Sequence, residues 1–254
     1  MFPATLPRLH FAKTALIAAL ILGFCASLLR ATQTAGDVRI YEVKGQPIEI
    51  ILKDGSKPPL RVGESVPHDA TIRTSATATI TLIFSNGAML AVQPGSELQV
   101  DFLTSDPARP ALPATPATKH SSAVSDTDVK LKKGLIMLDV PPQNKKSNFQ
   151  VTTPLGIACI RGTRFFVQSG KNLALVGVVE GKVLAQSLAG DSKMVGPGTT
   201  VAMTPAGFVE PGGAGVTLLD RTLHILQAFR AAAHNQNSAT PKSPSSRASY
   251  KVSE

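Results

Sequence analysis

The chain has 254 residues, and 26 Lys and Arg against 17 Asp and Glu give a formal charge of +9. With 43% hydrophobic and 17% charged residues it can bury a core, which excludes a disordered chain, and it lacks the repeated apolar runs of a polytopic membrane protein. Two cysteines, Cys25 and Cys159, build neither a disulfide framework nor a cysteine-based zinc site.

Arg8 and Lys13 precede an uncharged run from Thr14 to Leu29, which Arg30 ends. Basic, then apolar, then mixed is the order of a secretory signal. Sixteen helical residues reach about 24 Å, short of a ~30 Å hydrocarbon core. Residues 1–35 therefore read as an apolar helix that is either a signal peptide or a single membrane anchor, with membrane contact through residues 14–29 if it is not cut. Ala31 and Ala35 could each end a signal, although Leu29 and Gln33 occupy the matching upstream positions. Phe24 before Cys25 argues against lipidation. Both outcomes place the chain in a bacterial cell envelope, periplasmic or anchored in the inner membrane with the rest outside the cytoplasm. Without Arg8, Lys13 and Arg30 the excess falls to +6, enough to attract an anionic polymer, though solvated surface is the simpler reading.

From residue 36 to 205 the pattern alternates. Val38 to Val43, Ile48 to Ile50 and Ala70 to Thr74 place apolar residues at every second position, the period of strands with one buried face. Ala78 to Phe84 and Ala88 to Val92 flank Ser85-Asn86-Gly87, and Asn86-Gly87 predicts a two-residue hairpin turn. After Pro94-Gly95, Glu97 to Phe102 predicts a third strand, completing a meander. Residues 104–127 carry Pro107, Pro110, Pro113 and Pro116 and read as a flexible surface insertion. Strands resume at Val129 to Lys132, Gly134 to Val140, Phe149 to Thr153, Ile157 to Arg161, Arg164 to Val167, Leu173 to Val179, Lys182 to Ala185 and Thr200 to Met203. About a dozen such segments predict an all-β fold, a sandwich or solenoid-like stack of short antiparallel strands. A faint internal echo relates Gly36-Asp37-Val38 to Gly181-Lys182-Val183.

Beyond Gly212-Gly213 the period lengthens. Thr217 and Asp220 can form a capping box, and Leu219, Leu223, Leu226 and Phe229 share one face of an amphipathic helix over residues 216–234. Residues 235–254 read as a disordered tail.

The search for chemistry is negative. His10, His68, His120, His224 and His234 are scattered, without the i,i+4 spacing or cysteine neighbours of a metal set. No nucleophile elbow, phosphate-cradling loop or dinucleotide unit is present. Asp37, Asp101 and Asp139 fall at strand positions expected to point outward, and nothing selects a carboxylate pair among them. Cys159 reads as a small buried hydrophobe. No catalytic, cofactor-binding or metal-ligating residue follows, so the chain reads as a non-enzyme. Nucleic-acid binding is disfavoured by 5% aromatic residues behind an export signal.

The stretch Thr152 to Val167 reads as a strand, a tight corner at Arg161-Gly162-Thr163 and a strand back. It also resembles the FecR domain family of envelope regulators. The ordered motifs are Ile72-Arg73-Thr74, Asn86-Gly87, Pro94-Gly95-Ser96-Glu97-Leu98, Leu131 to Val140, Phe149 to Pro154 and Gly162-Thr163-Arg164-Phe165, and the resemblance spans roughly Val38 to Met203. It implies an all-β envelope domain that, in the family's signalling members, relays a transporter's state to a cytoplasmic segment controlling a sigma factor, with Asn86, Gly87, Gly162, Thr163, Arg164 and Phe165 serving the fold. About 13 residues precede the apolar run, too few for the cytoplasmic anti-sigma domain of the family's signalling members. The expected function is sensing or scaffolding by contact with an envelope protein or anionic polymer. The alternative is a carbohydrate-binding module or glycan-acting enzyme that presents Lys130, Lys132, Lys145 and Lys146 to acidic glycans.

Overall fold

The computed structural model describes residues 33–108 and 122–238. The predicted N-terminal helix, with Cys25, the middle of the proline-rich insertion and residues 239–254 lie outside the described residues. Among the described residues no helix is long and apolar enough to cross a membrane.

Among the described residues the fold is mostly β, a single 16-stranded sheet with one helix. It divides into two wings that share one strand, β8 (Ser125–Val140), and enclose a core between them. Wing A runs β14 (Ser192–Val195), β13 (Val183–Ser187), β10 (Gly156–Ile160), β9 (Asn148–Thr153), the first half of β8, β7 (Glu97–Thr104), β4 (Thr71–Thr74) and β3 (Ile48–Ile51), with β1 (Thr34–Ala35) on the end of β7. Wing B runs β2 (Val38–Lys44), β5 (Thr79–Phe84), β6 (Met89–Val92), the second half of β8, β11 (Thr163–Ser169), β12 (Ala174–Glu180), β15 (Thr199–Thr204) and β16 (Gly207–Val209).

The bend in β8 has a local cause. Glu97 pairs with Lys133 but Leu98 pairs with Leu131, so the ladder slips by one residue at Lys132. A bulge of this kind reverses which alternate residues face inward. Val129 and Leu131 point to the core before it, and Ile136, Leu138 and Val140 after it. Gly134 stands at the bend with φ 101°, and a Cβ there would collide with the backbone and side chain of Ser96. Ser96 fastens the bend: its Oγ donates to the Gln93 carbonyl at 2.7 Å and accepts from the Leu135 N–H at 3.0 Å.

Between the wings, Ile72, Leu98, Val100 and Val151 of wing A meet Leu82, Leu90, Phe165 and Val176 of wing B. Phe84 and Phe102 pack edge to face across the gap at 5.3 Å. Burying each such side chain contributes about 1.5–3 kcal/mol. A second, smaller cluster lies on the outer face of wing B, where Ala91, Leu135, Met137, Phe166, Leu175 and Ala202 are covered by α1 (Gly212–Ser238).

Several expectations change. The strands are neither all short nor all antiparallel: β8 has 16 residues, absorbing two predicted strands, and pairs with β9 in parallel. The insertion is narrower than residues 104–127, because Thr104 pairs with Ser125 and Phe102 with Thr127. The predicted meander does not form, since β6 joins wing B and β7 joins wing A, with Pro94-Gly95 carrying the chain between wings. The Asn86-Gly87 turn is a three-residue loop rather than a two-residue one. Phe84 and Ala88 close it, Gly87 adopts φ 85°, and Asn86 stays out of the left-handed region because its Oδ1 accepts from the Ala88 N–H instead. The echo fails, because Val38 belongs to wing B and Val183 to wing A. The β body gains β14 and β16, the latter beyond the predicted limit at 205. The helix begins at Gly212 and ends at Ser238, so Thr217 and Asp220 lie inside it and form no capping box. Leu218, Leu219, Ile225 and Leu226 pack on the sheet, and the Phe229 side chain is outside the described residues.

Candidate binding face and family

The outer face of wing A carries the polar half of the alternation. Glu97, Gln99 and Asp101 on β7 point away from the core, beside Asp128 and Lys130 on β8 and Gln150 and Thr152 on β9. Two ion-pair groups cross this face. Glu97 meets Arg73 at 3.2 Å and Lys132 at 3.1 Å, and the Arg73 hydrogen bond, followed by Lys132, holds its carboxyl below the ordinary glutamate range. Asp101 meets Lys130 at 2.7 Å, which raises the lysine pKa.

The second group opens into a cleft of about 440 Å³ lined by His68, Asp69, Asp101, Asp126, Asp128 and Gln150 among others. His68 Nε2 stands 3.1 Å from Asp101 Oδ1 and 3.6 Å from Asp69 Oδ1, and Lys53 pairs with Asp69. Asp69 has φ 62° and is fastened by Gln99 Nε2, which donates to its carbonyl at 3.1 Å. Hydrogen bonding with the Asp101 carboxyl, then Lys53, pulls the Asp69 pKa down to about 2. Asp101 and Asp128 are direct cross-strand neighbours, a like-charge pairing that costs stability unless cations offset it. Lys130 lies close to both and supplies part of that offset.

Asp69, Asp101 and His68 bring their donor atoms within 4.8 Å of one another, so the three could share a cation in competition with the lysines. Sequence reasoning missed this grouping because His68-Asp69 and Asp101 come from separate segments that only the β4–β7 pairing makes neighbours. The outward position of Asp101 in a clean alternation was the available signal.

The motif residues serve the interior. Asn86 is buried, and its Nδ2 donates to Ser125 Oγ at 3.3 Å. Gly162, at φ 62°, passes Pro142, where a Cβ would stand 3.2 Å from the proline Cα. The corner it makes is not a hairpin: β10 stays in wing A and β11 begins in wing B, so the chain crosses between wings there. Thr163 Oγ1 donates to the Lys182 carbonyl at 3.0 Å, tying the corner to Gly181, whose own Cβ would crowd the Gly162 carbonyl. Arg164 pairs with Glu180 and lies 3.9 Å from Asp139, and Phe165 is fully buried in the core. Asp139, expected to point outward, does face away from the core that Leu138 and Val140 enter, and is only 7% exposed there, beside Arg164. Cys159 is half-buried rather than buried, and desolvation raises its thiol pKa. It lies in an apolar row with Leu184 and Met194 at the β14 edge of wing A.

No curated protein matches the sequence. Two crystal structures of a proposed anti-sigma factor from Parabacteroides distasonis resemble the fold in part, with TM-scores of 0.41 and 0.40 at 13% and 14% identity. The likeness covers 55% of this chain and 56% and 57% of those chains, so this chain spans little more than half their length. Residues 70–184 match the family model described as FecR protein, a narrower span than the resemblance from Val38 to Met203, and its ends fall at β4 and β13. Asn86-Gly87, which shapes the wing B hairpin, and Gly162-Thr163-Arg164-Phe165, which carries the chain between wings, both lie within residues 70–184, the part of this chain that matches the FecR family model.

Proposed function

We propose that this chain is a non-enzymatic contact domain of the bacterial cell envelope, sensing or scaffolding by binding a protein partner through the outer face of wing A. One observation carries the reading: wing B has the outer face of β8, β11, β12 and β15 covered by α1, whereas among the described residues no element covers the charged face and cleft of wing A. The family match supports a role in signalling regulation, and Arg8, Lys13 and the apolar run to Leu29 support export. Binding of acidic glycans has less support, because Lys130 and Lys132 are already engaged by Asp101 and Glu97.

The test is in-cell crosslinking of the tagged full chain, comparing wild type with Asp126→Asn/Asp128→Asn and with Lys171→Gln away from that face. A crosslinked envelope protein retained by wild type and the Lys171 variant, lost in the double variant and weakened by salt, is the expected result. Equal recovery in all three would remove wing A's face from consideration. Fractionation of the same cells checks the location, and a cytoplasmic pool alone would overturn the envelope part.

A further inference from the structure

The outer face of wing A changes character along the direction that crosses its strands. The strand registers align Met194, Leu184, Cys159, Gln150, Asp128 and Asp101 in one row, from β14 through β13, β10, β9 and β8 to β7. Val195, Val183, Ala158, Val151, Val129 and Val100 beside them enter the core, so the whole row points outward. At about 4.8 Å per strand spacing the row is roughly 24 Å long. One end of it lies in the cleft, and the other is apolar.

The apolar end stands in water. Leu184 is 40% and Met194 59% exposed. With Leu188, in the turn between β13 and β14, they are three of the six most exposed large apolar side chains among the described residues. Single exposed apolar residues are ordinary on a protein surface, but a group of them gathered on one hairpin marks a contact site.

The acidic end is held in place without being neutralised. Asn148 Nδ2 donates to Asp126 Oδ1 at 3.1 Å and Thr152 Oγ1 to Asp128 Oδ1 at 2.8 Å, and among the described residues neither carboxylate makes an ion pair. With Asp69 and Asp101, four carboxylates line the cleft against the two lysines that pair there, Lys53 and Lys130. The cleft therefore keeps a negative excess in a chain whose formal charge is +9, and its local field attracts cations.

Resting on the reading of wing A as a contact face, we propose that this row is one docking surface and that its occupant is a cationic amphipathic segment of a partner protein. An arginine or lysine of the partner enters the cleft beside Asp126 and Asp128. Apolar side chains of the same segment cover Leu184 and Met194, three strand spacings or about 14 Å from Asp128. Charge complementarity selects the cation, and the exposed apolar end supplies the second anchor. A metal ion or a polyamine would fill the cleft and leave Leu184 and Met194 open, and Asp126 and Asp128 would repel an acidic glycan.

The test puts a photoreactive amino acid at Gln150, in the middle of the row, and crosslinks the full chain in cells. The captured segment, identified by mass spectrometry of the crosslinked peptide, should carry Lys or Arg together with apolar residues. Asp126→Asn/Asp128→Asn and Leu184→Ser/Met194→Ser should each lower the crosslink by roughly tenfold or more, and the first pair should also remove its salt dependence. All four side chains point away from the core, so the thermal midpoints should stay close to wild type. Loss with one pair only would overturn the row as a single surface and leave the contact face standing. A captured segment without Lys or Arg would overturn the cationic occupant. A crosslink insensitive to both pairs, or none at all, would overturn the proposal together with the reading on which it rests.

Discussion

The two wings are built from the same alternating strands, and they differ in what the outward half of the alternation carries. In wing A it carries charge, with Glu97, Asp101, Asp128 and Lys130 half-buried on a face that no described element covers. In β6, β8, β11 and β15 of wing B it carries Ala91, Leu135, Met137, Phe166 and Ala202, so these strands are buried on both sides at those positions, under α1. A strand apolar at every position reports two buried faces, and one apolar at every second position reports one. The lesson is that the inward half of each strand makes the fold, and the outward half decides which surface is left for a partner.

The comparison breaks most severely at the shared interior. Phe165→Ala, between the wings, should cost about 3–5 kcal/mol in urea unfolding and open both wings together. If the loss is confined to one wing, the core is not the common element described. Gly134→Ala strikes the bend that separates the wings, combining a left-handed backbone with a collision at Ser96, and should cost about 2–4 kcal/mol. A neutral result would mean that the bend does not need this glycine. Thr163→Val removes one hydrogen bond at the crossover, to the Lys182 carbonyl, for about 1 kcal/mol.

The smallest effect sharpens the wing A side. Lys132→Ala should cost less than about 1 kcal/mol, since the pair with Glu97 is half open to water. Its pH signature is more telling than its size. Glu97 is depressed in the folded chain, first by Arg73, so its contribution is present above the ordinary value of 4.5 and is lost as the pH falls through the lower folded value. Glu97→Gln should therefore narrow the fall in thermal midpoint between pH 6 and pH 3, and an unchanged fall would show that the ion pairs on this face do not contribute.

Much of the fold was legible along the chain. Val38 to Val43, Ala78 to Phe84 and Glu97 to Phe102 are strands where the alternation places them, and a helix occupies residues 216–234 as the longer period predicts, although it starts four residues earlier, at Gly212. The connections were not legible. Arg161-Gly162-Thr163 and Pro94-Gly95 have the composition of hairpin turns, yet each hands the chain from one wing to the other. Nothing local distinguishes a turn that reverses a strand from one that crosses a core, because both need the same backbone freedom. The cleft was hidden for the same reason, since His68, Asp101 and Asp128 meet only through pairings made across the sheet.

The sequence by itself determined the all-β class, the position of most strands, the glycine-dependent turns and the amphipathic helix, because these follow from periodicity and backbone sterics that act over a few residues. The tertiary structure alone decided which wing each strand joins, that β8 serves both, that an acidic cleft opens on one face, and that α1 covers the other. Those outcomes depend on which apolar faces find each other across distances of tens of residues, and the alternation that marks a buried face does not say what it is buried against.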